Sequence, residues 1–153
     1  MKNNVYIFTE AGGEFGYGHL TRCSAIATEI KKQGYNVIFI INGINKNNLT
    51  SIANQEFFIL KKWYNHEYIS RVLKENDYAI VDSYIADKEN YLCISKNCKK
   101  TLYIDDTNRL NYPKGIVLNP SVSGSKLNYP KSDNKTYLYG AKYILLRSAF
   151  QNL

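Results

Sequence analysis

A glycine-rich stretch near the amino terminus, followed at once by a histidine, is the part of the sequence best suited to chemistry. Four glycines stand between residues 12 and 18, and His19 follows the last of them. Glycine allows positive φ angles and a close approach of the backbone to a ligand. A helix predicted to begin at Gly18 or His19 offers unpaired N–H groups and a positive dipole end. This junction is therefore predicted to bind an anion, most commonly phosphate.

His19 is predicted to lie in the first turn of that helix, where its imidazole could act on whatever the loop holds. The positive end of the helix disfavours a further positive charge, so we expect a neutral ring. A neutral imidazole can accept a proton from water, which general-base hydrolysis requires. Capping or packing is the alternative interpretation of His19. His66 has no supporting context, and we predict no catalytic role for it.

Polar residues follow several predicted strands at the point where each strand ends. They are Asn42, Asp82 with Ser83 and Tyr84, Asp105 with Asp106, and Asn119. In an open parallel sheet, ligands bind outside the carboxyl ends of the strands, so we expect these residues to converge with the glycine loop. Taken singly, Asp82 and Asp105 are equally consistent with strand-end caps or turn formers.

Strands and helices are predicted to alternate through most of the chain. The predicted strands cover residues 5–8, 37–41, 57–60, 78–82, 101–104 and 116–119, and the helices cover 18–33, 45–53, 66–74 and 87–95. Such alternation is typical of an α/β fold with a parallel, doubly wound sheet and helices on both of its faces.

The last fifth of the chain differs in composition from the rest. Proline, serine, glycine, asparagine and lysine dominate residues 119–137, and the closing residues are again apolar. We therefore predict one domain over residues 1–120. Residues 121–153 are predicted to be a linker and the start of a connection to a further domain.

Charge and cysteine content restrict the class of protein. The chain has 20 lysines and arginines against 13 acidic residues, but the lysines are scattered and form no basic, aromatic ladder, so no nucleic-acid partner is predicted. A solvated lysine-rich surface is favoured over attraction of a phosphorylated small molecule.

No apolar run approaches the roughly 20 residues of a membrane span. Three cysteines without a CxxC pair indicate free thiols, a cytoplasmic protein and no metal site, and no cofactor is predicted.

The glycine loop does not match the common nucleotide-binding motifs. Gly16-Tyr17-Gly18 lacks the third glycine of the dinucleotide fingerprint, and Asn42 stands where that motif has an acid. The loop also lacks the Gly-Lys-Ser/Thr ending of an ATP-binding loop. A different anionic ligand is indicated.

The motif Gly16-Tyr17-Gly18-His19-x-x-Arg22-Cys23, opening a helix after the first strand, resembles the UDP-sugar hydrolase of pseudaminic acid biosynthesis and its spore-coat polysaccharide relatives. The likeness extends over nearly the whole chain, and the glycine-histidine-arginine motif is its most specific part. It continues at Val81-Asp82-Ser83-Tyr84, Ile104-Asp105-Asp106, Leu118-Asn119 and Leu145-Leu146-Arg147-x-x-Phe150.

The resemblance implies a GT-B-like fold of two Rossmann-type domains with the active site between them. This chain would be the N-terminal half, and a C-terminal nucleotide-binding domain outside it would supply most contacts to UDP. The implied reaction is metal-independent. Water attacks the anomeric carbon of a UDP-linked 2,4-diacetamido-2,4,6-trideoxy sugar and UDP is released. By itself, the chain is expected to be inactive.

The resemblance also implies roles for individual residues. His19 would be the base that deprotonates water, and the backbone of Gly16, Tyr17 and Gly18 would line the sugar and diphosphate. Asp82 and Tyr84 would border the sugar. The remaining candidate substrate-binding residues are Glu10, Arg22, Asp105 and Asn119.

One departure from the family pattern affects the substrate. Phe8 stands where the family usually has an arginine, and Glu10 takes the place of the acid two residues on. A related nucleotide sugar is therefore an open alternative. A GT-B glycosyltransferase-like enzyme and a non-catalytic nucleotide-sugar-binding module are the other two.

Overall fold

The computed structural model describes residues 3–43, 58–130 and 132–145. These residues form an α/β fold around one sheet of seven parallel strands, in the spatial order β3-β2-β1-β4-β5-β6-β7. The strands are β1 (Asn4–Ala11), β2 (Asn36–Gly43), β3 (Phe58–Leu60), β4 (Tyr78–Asp82), β5 (Lys100–Ile104), β6 (Gly115–Asn119) and β7 (Lys135–Tyr139). The helices are α1 (Gly18–Lys32), α2 (His66–Val72) and α3 (Lys88–Asn97).

The order of the strands reverses at β1. The chain runs outward from β1 to β2 and β3, and then returns to place β4 on the other side of β1. The connections that leave β1 and β4 therefore diverge and open a crevice at the carboxyl ends of these two strands. Such a switch point is where open parallel sheets bind their ligands.

Alternation of side chains along the strands gives the sheet two apolar faces, each covered by helices. On one face, Leu20, Cys23 and Ala27 of α1 are fully buried against residues such as Ile7. On the other, α2 and α3 bury a cluster that contains Phe8, Trp63, Tyr91 and Tyr103. This arrangement confirms the predicted Rossmann-like sheet with helices on both faces. None of the described helices is both long and apolar enough to cross a bilayer.

The observed elements follow the predicted ones closely up to β6. Helix α1 was predicted over 18–33 and ends at Lys32, and β4 has the predicted bounds. Helix α3 starts after Asp87, whose carboxylate accepts from the N–H of Asn90 in a capping box. The helix predicted over 45–53 lies outside the described residues.

Strand β7 was not predicted, because it falls partly in the segment interpreted as a loop. The structure pairs Leu138 with Leu118 of β6, so the sheet continues beyond residue 120. The sequence of β7, KTYLY, has no continuous apolar run, and its residues are only partly buried or exposed. A strand at the edge of a sheet has one neighbour, so its sequence shows a weaker apolar pattern than that of a central strand.

Candidate functional site

The glycine loop lies at the switch point, directly after β1. The N–H of Gly12 donates to the carbonyl of Gly16 at 2.7 Å and closes the loop. Gly16 has a φ of +62°, which favours glycine at this position. Tyr17 occupies the N-cap of α1, and its side chain makes no capping hydrogen bond. The first-turn N–H groups of this 15-residue helix thus lack a side-chain cap where an anion would bind.

His19 contacts a buried carboxylate. Its Nδ1 atom lies 2.7 Å from Oδ1 of Asp82, which is fully buried at the end of β4. A carboxylate only accepts hydrogen bonds, so we infer that Nδ1 bears a proton, and in the neutral ring the lone pair is then on Nε2. Nε2 has no hydrogen-bond partner among the described residues. His19 as a whole is 7% exposed.

Arg22 lies one turn after His19 on α1 and binds two carboxylates. Its Nε and Nη2 atoms donate to Asp82 at 2.5 and 2.6 Å, and Nη1 donates to Oδ2 of Asp106 at 2.5 Å. Burial raises the pKa of the Asp82 carboxyl, but hydrogen bonds from Arg22 and His19 and the positive charge of Arg22 outweigh burial and hold the pKa below its ordinary value. Asp82 is therefore ionised at neutral pH, as the proton on Nδ1 of His19 requires.

The ring of Tyr84 packs against the imidazole of His19. The two rings meet edge to face with centroids 4.5 Å apart, and the Tyr84 hydroxyl donates to Oδ2 of Asp106 at 2.7 Å. Burial and the neighbouring Asp106 carboxylate raise the pKa of Tyr84, so the phenol is neutral. Half of Tyr84 is exposed. The structure thus brings together four of the predicted site residues: His19, Arg22, Asp82 and Tyr84.

Glu10 lies behind this group and not on its surface. The residue is fully buried, and its carboxylate accepts from the Tyr64 hydroxyl at 2.6 Å and from the N–H of Tyr84 at 3.3 Å. Asn42 donates to the same Tyr64 hydroxyl at 3.3 Å. The adjacent Trp63 is also buried and donates to the carbonyl of Thr9 at 3.0 Å. Glu10 therefore fixes Tyr64 and the backbone at Tyr84.

Asp105 and Asn119 form a separate group around Tyr129. Asn119 donates to the Tyr129 hydroxyl at 2.9 Å, and that hydroxyl donates to Oδ2 of Asp105 at 3.4 Å. The other oxygen of Asp105 accepts from the N–H groups of Thr107 and Arg109. Burial is the main cause that raises the pKa of Tyr129 to about 12. Both predicted residues are almost fully buried and hold the loops after β5 and β6.

Two residues that the structure places in the site have no role assigned from the sequence, although Asp106 was expected to converge with the glycine loop. Asp106, the outer partner of Arg22, is one of two successive acids at a strand end, and the sequence does not show which of them faces α1. Tyr64 follows β3 without a motif and becomes a neighbour of Glu10 only through the fold.

The described residues contain no group of three or more histidine, cysteine, aspartate or glutamate side chains placed to hold a metal ion. Cys23 lies next to the site, with its thiol 3.6 Å from Asp82. Burial and the Asp82 charge raise the pKa of this thiol well above its ordinary value. Cys23 is thus a packing residue and not a nucleophile.

Known protein-family models give no match to this chain. The chain is similar to an uncharacterized protein of Methanocaldococcus jannaschii, with 26% identity over 151 residues. The aligned region is 95% of this chain and 31% of that protein, so the chain spans less than a third of the relative's length.

Proposed function

We propose that this chain belongs to a nucleotide-sugar hydrolase that releases UDP from a UDP-linked amino sugar in the cytoplasm, in bacterial nonulosonic acid or surface polysaccharide biosynthesis. The observation that carries the proposal is the pairing of His19 Nδ1 with the buried Asp82 at 2.7 Å. This pairing leaves Nε2 as a proton acceptor at the switch point of the sheet.

In the proposed reaction, Nε2 of His19 accepts a proton from water while the water oxygen bonds to the anomeric carbon. The bond from that carbon to the diphosphate oxygen breaks, and UDP leaves with the electron pair. The Asp82 carboxylate keeps the ring oriented through Nδ1 and stabilises the positive charge that develops on the imidazole. Arg22 keeps Asp82 ionised and fixed in place.

The surroundings of His19 suit a sugar diphosphate. Arg22 is engaged by two carboxylates, so the anion would rest on the N–H groups at the start of α1 and along the glycine loop. The half-exposed ring of Tyr84 would border the sugar. Phe8 is fully buried against Trp63 on the opposite face of the sheet and supplies no arginine-like contact, which favours a related nucleotide sugar as an alternative substrate.

The proposal includes a second, nucleotide-binding domain outside this chain. In this proposal the described residues form one wall of the crevice, because a hydrolase must also hold the leaving UDP and exclude bulk water. By itself, the chain is therefore expected to be inactive.

The test uses the two-domain protein that contains this chain, with UDP-2,4-diacetamido-2,4,6-trideoxy sugar and water as the only acceptor. Wild-type protein is expected to release UDP and free sugar. The His19→Gln variant should lose roughly 10²–10⁴-fold in kcat, the usual contribution of a general base. His66→Gln, a change at an exposed histidine of α2, is the matched control and should keep full activity.

Full turnover by His19→Gln would remove His19 from the mechanism. Transfer to an added sugar acceptor, with no hydrolysis in water alone, would replace the hydrolase by a glycosyltransferase of the same fold. Binding of the nucleotide sugar without turnover under either condition would leave a binding module.

A further inference from the structure

A polar pocket lies at the amino ends of β5, β6 and β7, and the His19 site lies at the carboxyl ends of the strands. The volume of the pocket is about 560 Å³, within the range of small-molecule sites. Four lysines line it, Lys99, Lys100, Lys114 and Lys135, together with one acid, Asp133. Strands of five residues place the amino ends roughly 16 Å from the carboxyl ends, so the pocket is distinct from the His19 site.

The strand register places two of these lysines side by side. The pair Leu102–Ile116 puts Lys100 of β5 level with Lys114, which directly precedes β6, at the spacing of about 4.8 Å between neighbouring strands. The pair Gly115–Lys135 puts Lys135 of β7 one residue further along, on the next strand of the pocket wall. Like charges on neighbouring strands repel each other, and an anion between them would relieve the repulsion.

The structure shows little internal compensation for this charge. None of the four lysines forms an ion pair within the described part of the chain. Lys135 donates to the neutral amide of Asn111, and Lys99 lies 5.6 Å from the centroid of the Tyr78 ring. Asp133 is the single carboxylate in the pocket wall, so positive charge is in excess.

The backbone that presents the middle lysine is held in place from two sides. The carbonyl of Lys114 accepts from the Ser95 hydroxyl and from the Tyr103 hydroxyl, both at 3.1 Å. At the next residue, Gly115, an added Cβ would lie 2.7 Å from the Thr101 carbonyl oxygen. The pocket wall at this position is therefore close-packed backbone, and the backbone that carries Lys114 is held in place before a ligand arrives.

We propose that this pocket binds a small, multiply charged phosphorylated anion. Lysine is a common phosphate ligand that acts as a point charge, and several lysines around one pocket suit a phosphate or diphosphate group. The site is independent of the chemistry at His19.

Inorganic pyrophosphate is the probe, and the measurement is an NMR titration of the ¹⁵N-labelled chain at about 0.15 M salt. Amide resonances of Lys100, Gly115 and Thr136 are expected to shift. Lys100→Gln/Lys114→Gln/Lys135→Gln should raise Kd by about tenfold or more. The matched control Lys62→Gln/Lys74→Gln/Lys88→Gln removes three charges from exposed sites elsewhere and should change Kd less than about twofold.

Equal weakening in the two triple variants would show non-specific charge attraction and overturn the proposal. Shifts confined to residues 16–22 would place the anion at the carboxyl ends of the strands and overturn the proposal. The absence of saturable binding would overturn it as well. His19→Gln should bind pyrophosphate with unchanged Kd in the pocket, which separates this result from the fate of the proposed hydrolase. If the triple pocket variant fails to fold, Lys114→Gln alone should still raise Kd.

Discussion

Arg22 balances the charges of the candidate site. An ionised carboxylate as fully buried as Asp82 is costly unless it is paired and hydrogen-bonded, and Arg22 provides two of its hydrogen bonds. The same guanidinium also holds the more exposed Asp106. Burial lowers the pKa of Arg22, and the two carboxylates more than reverse that effect. The His19–Asp82 pair therefore depends on a residue that does not face the proposed substrate.

The Asp82→Asn variant should be strongly destabilised. The change keeps the size of the side chain but removes its charge, so Arg22 loses its buried partner. We expect a loss of about 3–5 kcal/mol in the free energy of unfolding, measured by urea denaturation. Asp106→Asn is the matched control and should lose at most about 1 kcal/mol, because a quarter of that side chain is exposed. Equal losses would contradict a dominant role for the buried pair.

The buried Asp82–Arg22 pair predicts that the free energy of unfolding depends on pH. The pKa of Asp82 is lower in the folded protein than its ordinary value of 3.8. Its stabilising contribution is therefore complete above the unfolded pKa and is lost as pH falls through the folded pKa. The stability difference between wild type and Asp82→Asn should narrow between about pH 5 and pH 2. A constant difference over this interval would show that the Asp82 charge is not the cause.

At the scale of secondary structure, most of the fold was predictable because its central strands are short apolar runs that end in polar residues. Strand β4 shows this pattern clearly and has its predicted bounds, and helix α1 was predicted to within one residue. Strand β7 was missed because an edge strand needs no such run.

The site was predictable only in part. The convergence at the strand ends follows from parallel topology, and His19, Asp82 and Tyr84 do meet there. Which polar residue faces the crevice and which faces the interior depends on the twist and on side-chain packing. For this reason the sequence could not show that Glu10 and Asp105 are buried, or that Asp106 binds Arg22.

Two glycines of the β1–α1–β2 unit should respond differently to substitution by alanine. A Cβ at Gly43 would lie 2.5 Å from the carbonyl oxygen of Ala11 on the neighbouring strand, and backbone cannot move aside easily. We expect Gly43→Ala to lower stability by about 1–3 kcal/mol.

Gly18 is the matched control, since a Cβ there would meet nothing within 4 Å. Alanine favours helix over glycine by up to about 1 kcal/mol, so Gly18→Ala should leave stability unchanged or raise it. Urea unfolding measures both variants. A destabilised Gly18→Ala with a neutral Gly43→Ala would contradict the close approach of β1 and β2.

For the whole molecule, tyrosine is the most distinctive component of the interior. Of the 14 tyrosines, nine have a raised pKa, mainly because burial disfavours the phenolate. The folded state therefore favours the neutral phenol. This contribution to stability is complete below the unfolded pKa of about 10 and is lost as pH rises through the folded values.

Alkaline titration should consequently couple ionisation to unfolding. We expect most of the tyrosinate absorbance to appear together with the loss of far-UV circular dichroism, above about pH 10. Protein unfolded in urea should titrate gradually near pH 10 and serves as the control. Ionisation of most tyrosines with the circular dichroism intact would contradict the burial of these side chains.

The single tryptophan, Trp63, is an intrinsic fluorescent reporter of the carboxyl end of β1. Its indole is fully buried, its N–H is bonded to the carbonyl before Glu10, and its ring lies 4.3 Å from that of Tyr64. Emission should be blue-shifted in the folded chain. A ligand that moves the end of β1 should change the emission intensity, whereas pyrophosphate in the lysine-lined pocket should leave it unchanged. One fluorescence titration would thus distinguish binding at the His19 site from binding in the lysine-lined pocket, without any label.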